Sequence, residues 1–168
     1  MNIDFSKLDM RVSRTELKKS HERLQALAEP LAALPKKHWE NLPVTEYFLD
    51  ELRELGRITS AAAKNRQIKR VGKLIVDENR HALVGALFAI KFDQAQAAKV
   101  EAWYARLKLT DEASIKQFVK QYNASEYNTV YQLLLWIEYA KHQNDSELLA
   151  ESEQDLHSYV KEVALLSS

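Results

Sequence analysis

The 168-residue sequence contains no cysteine, and it has only three glycines and three prolines. Without cysteine, the chain can form no disulfide, no zinc–thiolate site and no cysteine nucleophile. Gly56, Gly72 and Gly85 lie too far apart for the glycine-rich motifs that bind phosphate groups or present a catalytic serine. No apolar run approaches the ~18 residues that a membrane span needs, and Met1–Met10 shows no signal-peptide pattern. We therefore expect a soluble, cytoplasmic protein.

The scarcity of glycine and proline also bears on the fold class. Long alternating runs of β-branched residues are absent, and apolar residues make up 46% of the chain. This combination predicts an all-α, multihelical protein with enough apolar surface for one core, or for two small lobes that share one.

Local signals in the first half predict two long helical arms. Ser13 and Glu16 match a capping box, so a first helix should run from about residue 14 to 34, kinked or broken at Pro30. Thr45 is the predicted N-cap of the second arm. Gly56 bends or breaks that arm; otherwise it runs on through the following basic stretch for roughly 30 residues, which is long for a globular helix. We expect the two arms to pair antiparallel as a long hairpin.

The second half should contain five shorter helices. Their approximate limits are 80–90, 93–107, 111–122, 126–142 and 147–166, with Ser125 as the expected cap of the fourth. That fourth helix, Glu126–His142, has little polar surface, so it is either central to the packing or part of an interface. We favour central packing; the alternative is that this aromatic helix binds a partner protein or forms a homodimer.

Positive charge is concentrated in one short part of this chain, whose formal net charge is zero. Residues 57–80 contain seven basic and two acidic side chains, whereas residues 81–168 contain eight and twelve. A net charge of zero argues against a general nucleic-acid binder, but this local concentration allows a specific basic surface.

The stretch Arg57–Val76 consists mainly of helix formers, so we predict a helix. At about 100° per residue, four of its cations share one face beside the apolar stripe: Arg66, Lys69, Arg70 and Lys73. This face is either a solvated surface that balances acids elsewhere or a phosphate-binding surface typical of nucleic-acid binding. The stretch has no aromatic residue, so contact with RNA would involve phosphates and overall shape rather than stacked bases.

Neither catalysis nor metal binding finds support in the pattern of polar residues. Glu138/His142 and Glu153/His157 are each spaced four apart, whereas a di-metal site in a helical bundle uses Glu-x-x-His, spaced three apart. No arrangement of serine, histidine and aspartate stands out. We predict a non-enzymatic protein without a metal or a cofactor.

Two segments resemble the DarP (YjgA) family of bacterial ribosome-assembly factors. The stretch Arg66-Gln67-Ile68 with Val71-Gly72-Lys73-Leu74 is similar to the family's R-Q-L-Q-x-I-G-K-L, and Arg57-Ile58 precedes it. Upstream, the similar residues are Ser13, Glu16, Leu17, Lys18, Leu24, Leu27 and the Leu42-Pro43 step. The resemblance is strongest over residues 13–87 and identifies the chain as a divergent member.

The resemblance implies an all-helical fold of two small lobes, which would correspond here to residues 13–91, with the hairpin and the basic face, and 92–168, tightly associated as one unit. It also implies a factor without cofactor or reaction that binds late precursors of the large ribosomal subunit at the subunit interface. Such a factor assists maturation of the peptidyl-transferase region. By resemblance, the candidate rRNA contacts are Arg66, Lys69, Arg70, Lys73, Lys18 and Lys19.

The chain departs from the family pattern in two places. Family members carry a basic, proline-containing segment before the last helix, whereas the corresponding stretch here, Ile137–Glu153, has Lys141 against five acidic residues. The family's acidic N-terminal tail is missing or short. The basic stretch 57–76 is therefore the main expected contact with RNA.

Overall fold

The computed structural model describes residues 3–7 and 13–168, and within them it is entirely helical apart from turns and loops. No β-strand forms in this part of the chain; one isolated bridge joins Lys108 and Asp111. The all-α prediction is confirmed. The α-helices are α1 (Arg14–Ala26), α2 (Ala28–Ala33), α3 (Lys36–Trp39), α4 (Glu46–Leu55), α5 (Ala61–Leu74), α6 (Arg80–Lys91), α7 (Gln94–Glu101), α8 (Trp103–Arg106), α9 (Glu112–Gln121), α10 (Tyr127–His142) and α11 (Ser146–Leu166). Two 3₁₀ turns span Phe5–Lys7 and Ile75–Asp77.

The first predicted arm is divided into α1 and α2. Ser13 Oγ accepts a hydrogen bond from the Glu16 N–H at 3.0 Å, as a helix N-cap does. The helix then breaks at Leu27, because Pro30 has no N–H to donate to the carbonyl four residues earlier. The Ser13 cap and the predicted break are confirmed. The other half of the predicted capping box is wrong, because the Glu16 carboxylate accepts hydrogen bonds from Asn128 and Thr129 instead.

Gly56 ends the first half of the second arm, so the continuous helix of roughly 30 residues does not form. Thr45 caps α4 as predicted, and Ser60 caps a separate α5. α2 packs on α5, whereas α1 packs on α5 and on the 3₁₀ turn that follows it. This order of contacts is that of an antiparallel pair, although each arm is shorter than predicted.

The C-terminal helices follow the predicted order with two corrections. The helix predicted from Asp93 to Leu107 is interrupted at Ala102, between α7 and α8. Ser125 does not cap α10: its hydroxyl donates to the Tyr122 carbonyl at 2.5 Å, and Glu126 occupies the N-cap position without a side-chain cap. A serine that bonds backward in this way stabilises the preceding turn instead of the next helix.

α10 lies inside the molecule, as favoured from its sequence. Val130, Leu134 and Ala140 are buried, and the helix packs along α11. On another side of α10, the Phe5 ring lies 5.4 Å from the ring of Tyr139 and 5.1 Å from that of His142. The described N-terminal segment, residues 3–7, therefore contacts α10 through Phe5.

One continuous core runs through the whole described molecule. α6 packs along α11, and α1 also reaches α11, so the helices predicted for the two lobes share this core. The division at residues 91 and 92 stays a prediction.

Candidate nucleic-acid interface

The α5 basic face, formed by Arg66, Lys69, Arg70 and Lys73, exists as a single exposed surface. Val71 and Gly72 of α5 are buried against the rest of the protein, and Ile68 packs at the edge of the core. All four cations are exposed. The helix geometry predicted from their spacing is thus confirmed, whereas their role as rRNA contacts stays a prediction.

Arg70 differs from the other three cations because it is bound within the protein. Its Nε donates to Glu51 Oε2 at 3.0 Å, and its Nη2 donates to Glu51 Oε1 at 3.2 Å. Gln67 also donates to the same carboxylate, at 2.7 Å. The hydrogen bonds from Arg70 and then Gln67 lower the pKa of Glu51, and the Glu51 carboxylate raises the pKa of Arg70. Glu51 therefore neutralises much of the charge that Arg70 would offer to a phosphate.

Arg66, Lys69 and Lys73 have no ion-pair partner among the residues that the structure describes. They are spaced three and four residues apart, so they follow one another along the same side of the helix. Three positive charges are therefore available to an anionic ligand on this face. This unpaired set is smaller than the group of four predicted from the helical wheel.

The two weaker candidates lie on α1 and differ from each other. Lys19 Nζ forms ion pairs with Glu126 at 2.5 Å and with Glu16 at 3.5 Å, which connects α1 to the beginning of α10. Lys18 Nζ lies 4.0 Å from Glu22, and its side chain is 78% exposed. Of these two, only Lys18 presents its charge mainly to solvent.

Sequence reasoning missed one residue at this surface, Tyr47 of α4. Arg70 Nη2 donates to the Tyr47 hydroxyl at 3.0 Å, so an aromatic ring lies beside the α5 basic face although α5 itself has none. A helical signal was available: Tyr47 is three and four residues from Asp50 and Glu51, whereas Phe48 shares its side with Leu52 and Leu55. Tyr47 therefore belongs to the polar side of α4.

A cleft lies elsewhere, between α8, α10 and α11. It encloses about 540 Å³ and is lined by Ile3, Tyr104, Lys108, Ile137 and His157, among others. Over the described ranges 3–7 and 13–168, no group of three or more histidine, aspartate or glutamate side chains could hold a metal ion. In the same part of the chain, no helix is both long and apolar enough to cross a membrane.

Comparison with known proteins finds matches over nearly the whole sequence. The family model for the dual-action ribosomal maturation protein DarP matches residues 10–161. A protein of that name from Paraburkholderia xenovorans (strain LB400) is 34% identical over 119 residues, which cover 67% of this chain and 58% of the relative. Another from Nitrosomonas eutropha is 32% identical over 148 residues, which cover 83% and 81%. No solved structure matches.

Proposed function

Because this chain belongs to the DarP family of dual-action ribosomal maturation proteins, we propose that it is a non-enzymatic, rRNA-binding factor in ribosome maturation. It acts in the cytoplasm, late in the assembly of the large subunit. There it assists maturation of the peptidyl-transferase region at the subunit interface. The family name supports ribosome maturation in general, and the finer steps come from the resemblance described above.

The observation that supports RNA binding is the exposed, unpaired set Arg66, Lys69 and Lys73 on α5. In a chain whose formal net charge is zero, such a set produces a local positive field that attracts phosphates. Each cation that neutralises a phosphate releases bound counterions, so affinity falls as salt rises. Three contacts correspond to a log–log slope of about −2 to −3.

A triple substitution tests this surface directly. Arg66→Ala/Lys69→Ala/Lys73→Ala removes three exposed charges from one face without touching the core. The matched control is Lys91→Ala/Lys99→Ala/Lys120→Ala, which removes three exposed lysines from α6, α7 and α9. Both proteins are sedimented through gradients with precursors of the large subunit, after circular dichroism has shown equal helix content.

We expect the α5 triple variant to lose co-sedimentation, and the control to keep it. Equal co-sedimentation of the folded α5 variant and the wild-type protein would contradict the proposal. If both triple variants lost co-sedimentation equally, binding would depend on the total charge of the protein. The α5 basic face would then be a solvated surface that only balances acidic residues elsewhere.

The alternative function is a protein-interaction or homodimerisation module built on α10, without ribosome binding. The structure gives this alternative little surface, because the exposed large apolar side chains of the described residues are Leu17, Tyr47 and Val76, none of them on α10. Analytical ultracentrifugation separates the two functions. A stable dimer without ribosomal association at low salt would favour the module.

A further inference from the structure

Tyr47 is more exposed than any other aromatic side chain of this protein. The sequence has three tryptophans, seven tyrosines and five phenylalanines, and all of them lie in the described part of the chain. Only Tyr47 is exposed, with 59% of its surface accessible. Exposed aromatic surface is unfavourable in water, and Tyr47 belongs neither to the core nor to the side chains packed against it.

The ring is held at the α5 basic face by a chain of hydrogen bonds. Glu51 fixes the Arg70 guanidinium at two points, 3.0 and 3.2 Å, and the guanidinium in turn donates to the Tyr47 hydroxyl at 3.0 Å. Arg70 lies one helical turn from both Arg66 and Lys73. Arg70, which is hydrogen-bonded to Glu51, therefore holds the Tyr47 ring beside the cations of Arg66 and Lys73.

An exposed aromatic ring next to a row of cations is the arrangement by which proteins hold unpaired nucleotides. The cations bind the backbone phosphates, and the ring stacks on a base. A base inside a continuous duplex has both faces covered by its neighbours, whereas bases in loops, bulges and single strands can stack on a protein ring. A ring that is already oriented loses less conformational entropy on binding.

We propose that Tyr47 stacks on an unpaired nucleobase of the RNA whose phosphates bind Arg66, Lys69 and Lys73. This inference rests on the proposed RNA-binding function and makes its ligand more specific: RNA that presents an unpaired nucleotide, not a continuous duplex. Tyr47 supplies the stacking surface, and Arg70 positions it.

The test uses fluorescence anisotropy with two labelled RNA probes that have the same number of phosphates. One is a hairpin with a loop of unpaired adenines, and the other is a blunt duplex. Four full-length variants are compared with the wild-type protein: Tyr47→Ala, Tyr47→Leu, Tyr47→Phe and, as a control that removes another exposed apolar side chain, Leu17→Ala. Leu17 is 50% exposed, so none of the changes should unfold the protein.

We expect Tyr47→Ala and Tyr47→Leu to weaken binding of the loop probe by about fivefold to a hundredfold, the range measured for loss of one stacked base. Tyr47→Phe keeps the ring but loses the hydroxyl that accepts the Arg70 hydrogen bond, so its affinity for the loop probe should fall by no more than about threefold. Binding of the duplex, binding by Leu17→Ala and the salt slope should stay unchanged, because no phosphate contact is removed.

Two results would contradict the proposed stacking and leave the proposed RNA binding intact. One is that Tyr47→Ala binds the loop probe with wild-type affinity. The other is that Tyr47→Ala loses the same affinity for both probes, which would mean that Tyr47 acts only by holding Arg70. A wild-type protein that binds neither probe at low salt would overturn the proposed function, and the stacking with it.

Discussion

Glu162 and Arg80 form a two-point ion pair in the interior of the protein. Arg80 Nε donates to Glu162 Oε2 at 3.0 Å, and Arg80 Nη2 donates to Oε1 at 2.6 Å. Arg23 of α1 adds a third hydrogen bond to Oε1 at 3.3 Å. Glu162 is 1% exposed, so one buried carboxylate joins α1, α6 and α11.

Replacing Glu162 by glutamine should strongly destabilise the fold. The change removes the negative charge and leaves the partly buried guanidinium groups of Arg23 and Arg80 without the counter-charge that they share. Breaking a buried pair by removing one partner costs about 3–5 kcal/mol. We expect a loss at the lower end of this range in the free energy of unfolding measured with urea, since glutamine still accepts hydrogen bonds.

Glu153→Gln, an exposed change on the same helix, should stay within about 0.5 kcal/mol of wild type. Equal stability of the two variants would contradict the prediction.

Gly72 allows α5 to approach α1 closely. A Cβ atom at this position would lie 3.0 Å from the Gln25 carbonyl oxygen and 3.6 Å from the Ala28 Cβ. Alanine favours a helix by about 1 kcal/mol over glycine, but crowding a packed interface costs about 1–3 kcal/mol. Because the crowded atom belongs to a helix backbone, we expect Gly72→Ala to destabilise the protein by about 1 kcal/mol.

Gly85 in α6 provides the matched control, since a Cβ there would have no neighbour within 4 Å. Gly85→Ala should therefore stabilise the protein by up to about 1 kcal/mol through helix propensity alone. Thermal unfolding of the two variants checks both signs. A rise in melting temperature for Gly72→Ala would contradict the prediction, because it would mean that α1 can move away from the added methyl group at little cost.

Glu51→Gln should strengthen binding of the duplex probe, where phosphate contacts act without stacking on Tyr47. The substitution removes the carboxylate that neutralises Arg70, so a fourth cation of the α5 basic face becomes available to phosphate. One additional contact should make the log–log slope of affinity against salt steeper by about 0.7–0.9.

The control for this substitution is Asp50→Asn, the same change of charge on α4. Asp50 pairs with Arg53 at 2.7 Å, away from Arg70. Anisotropy titrations at several salt concentrations should show a steeper slope for Glu51→Gln alone. Identical slopes for both variants would mean that Arg70 stays hydrogen-bonded within the protein, or that it does not face the RNA.

His157 should make stability depend on pH. Its ring stacks on Tyr104 with centroids 3.9 Å apart, and burial, followed by the charge of Lys161, lowers the pKa of His157 below its ordinary value of 6.5. The unfolded chain then binds more protons than the folded one, so the stability is complete above about pH 6.5 and is lost as pH falls through the lowered pKa.

Unfolding by urea at a series of pH values from about 5 to 7.5 tests this contribution. His157→Gln cannot be protonated, so the free energy of unfolding of this variant should vary less with pH than that of the wild-type protein. Curves of the same slope for the two proteins would contradict the prediction, because they would mean that folding does not change the proton affinity of His157.

Local signals in the sequence were sufficient for most helix boundaries. Ser13 and Thr45 cap the helices that they were predicted to cap, Pro30 breaks the first arm, and Asp93 closes a capping box with Gln96. These interactions span at most four residues, so they form in any chain with this local order. Ser125 is the exception, because its hydroxyl donates to the Tyr122 carbonyl of the preceding turn instead of accepting from an N–H of α10.

Tertiary structure decided which charges are free and which are paired. Glu16 looked like the second half of a capping box, but its carboxylate accepts hydrogen bonds from Asn128 and Thr129, more than a hundred residues away. Lys19, a candidate RNA contact, pairs with Glu126 of the same region. No spacing in the sequence identifies such partners, because they are brought together only when separate helices pack.

The α5 basic face shows the same division. Spacing along the chain was enough to place Arg66, Lys69, Arg70 and Lys73 on one side of a helix, because helical periodicity fixes their directions. Only the packing of α4 on α5 decided that Glu51 occupies Arg70 and that Tyr47 joins the face. A helix sets the directions of its own side chains, whereas the charges and rings that meet them come from elements distant in the chain.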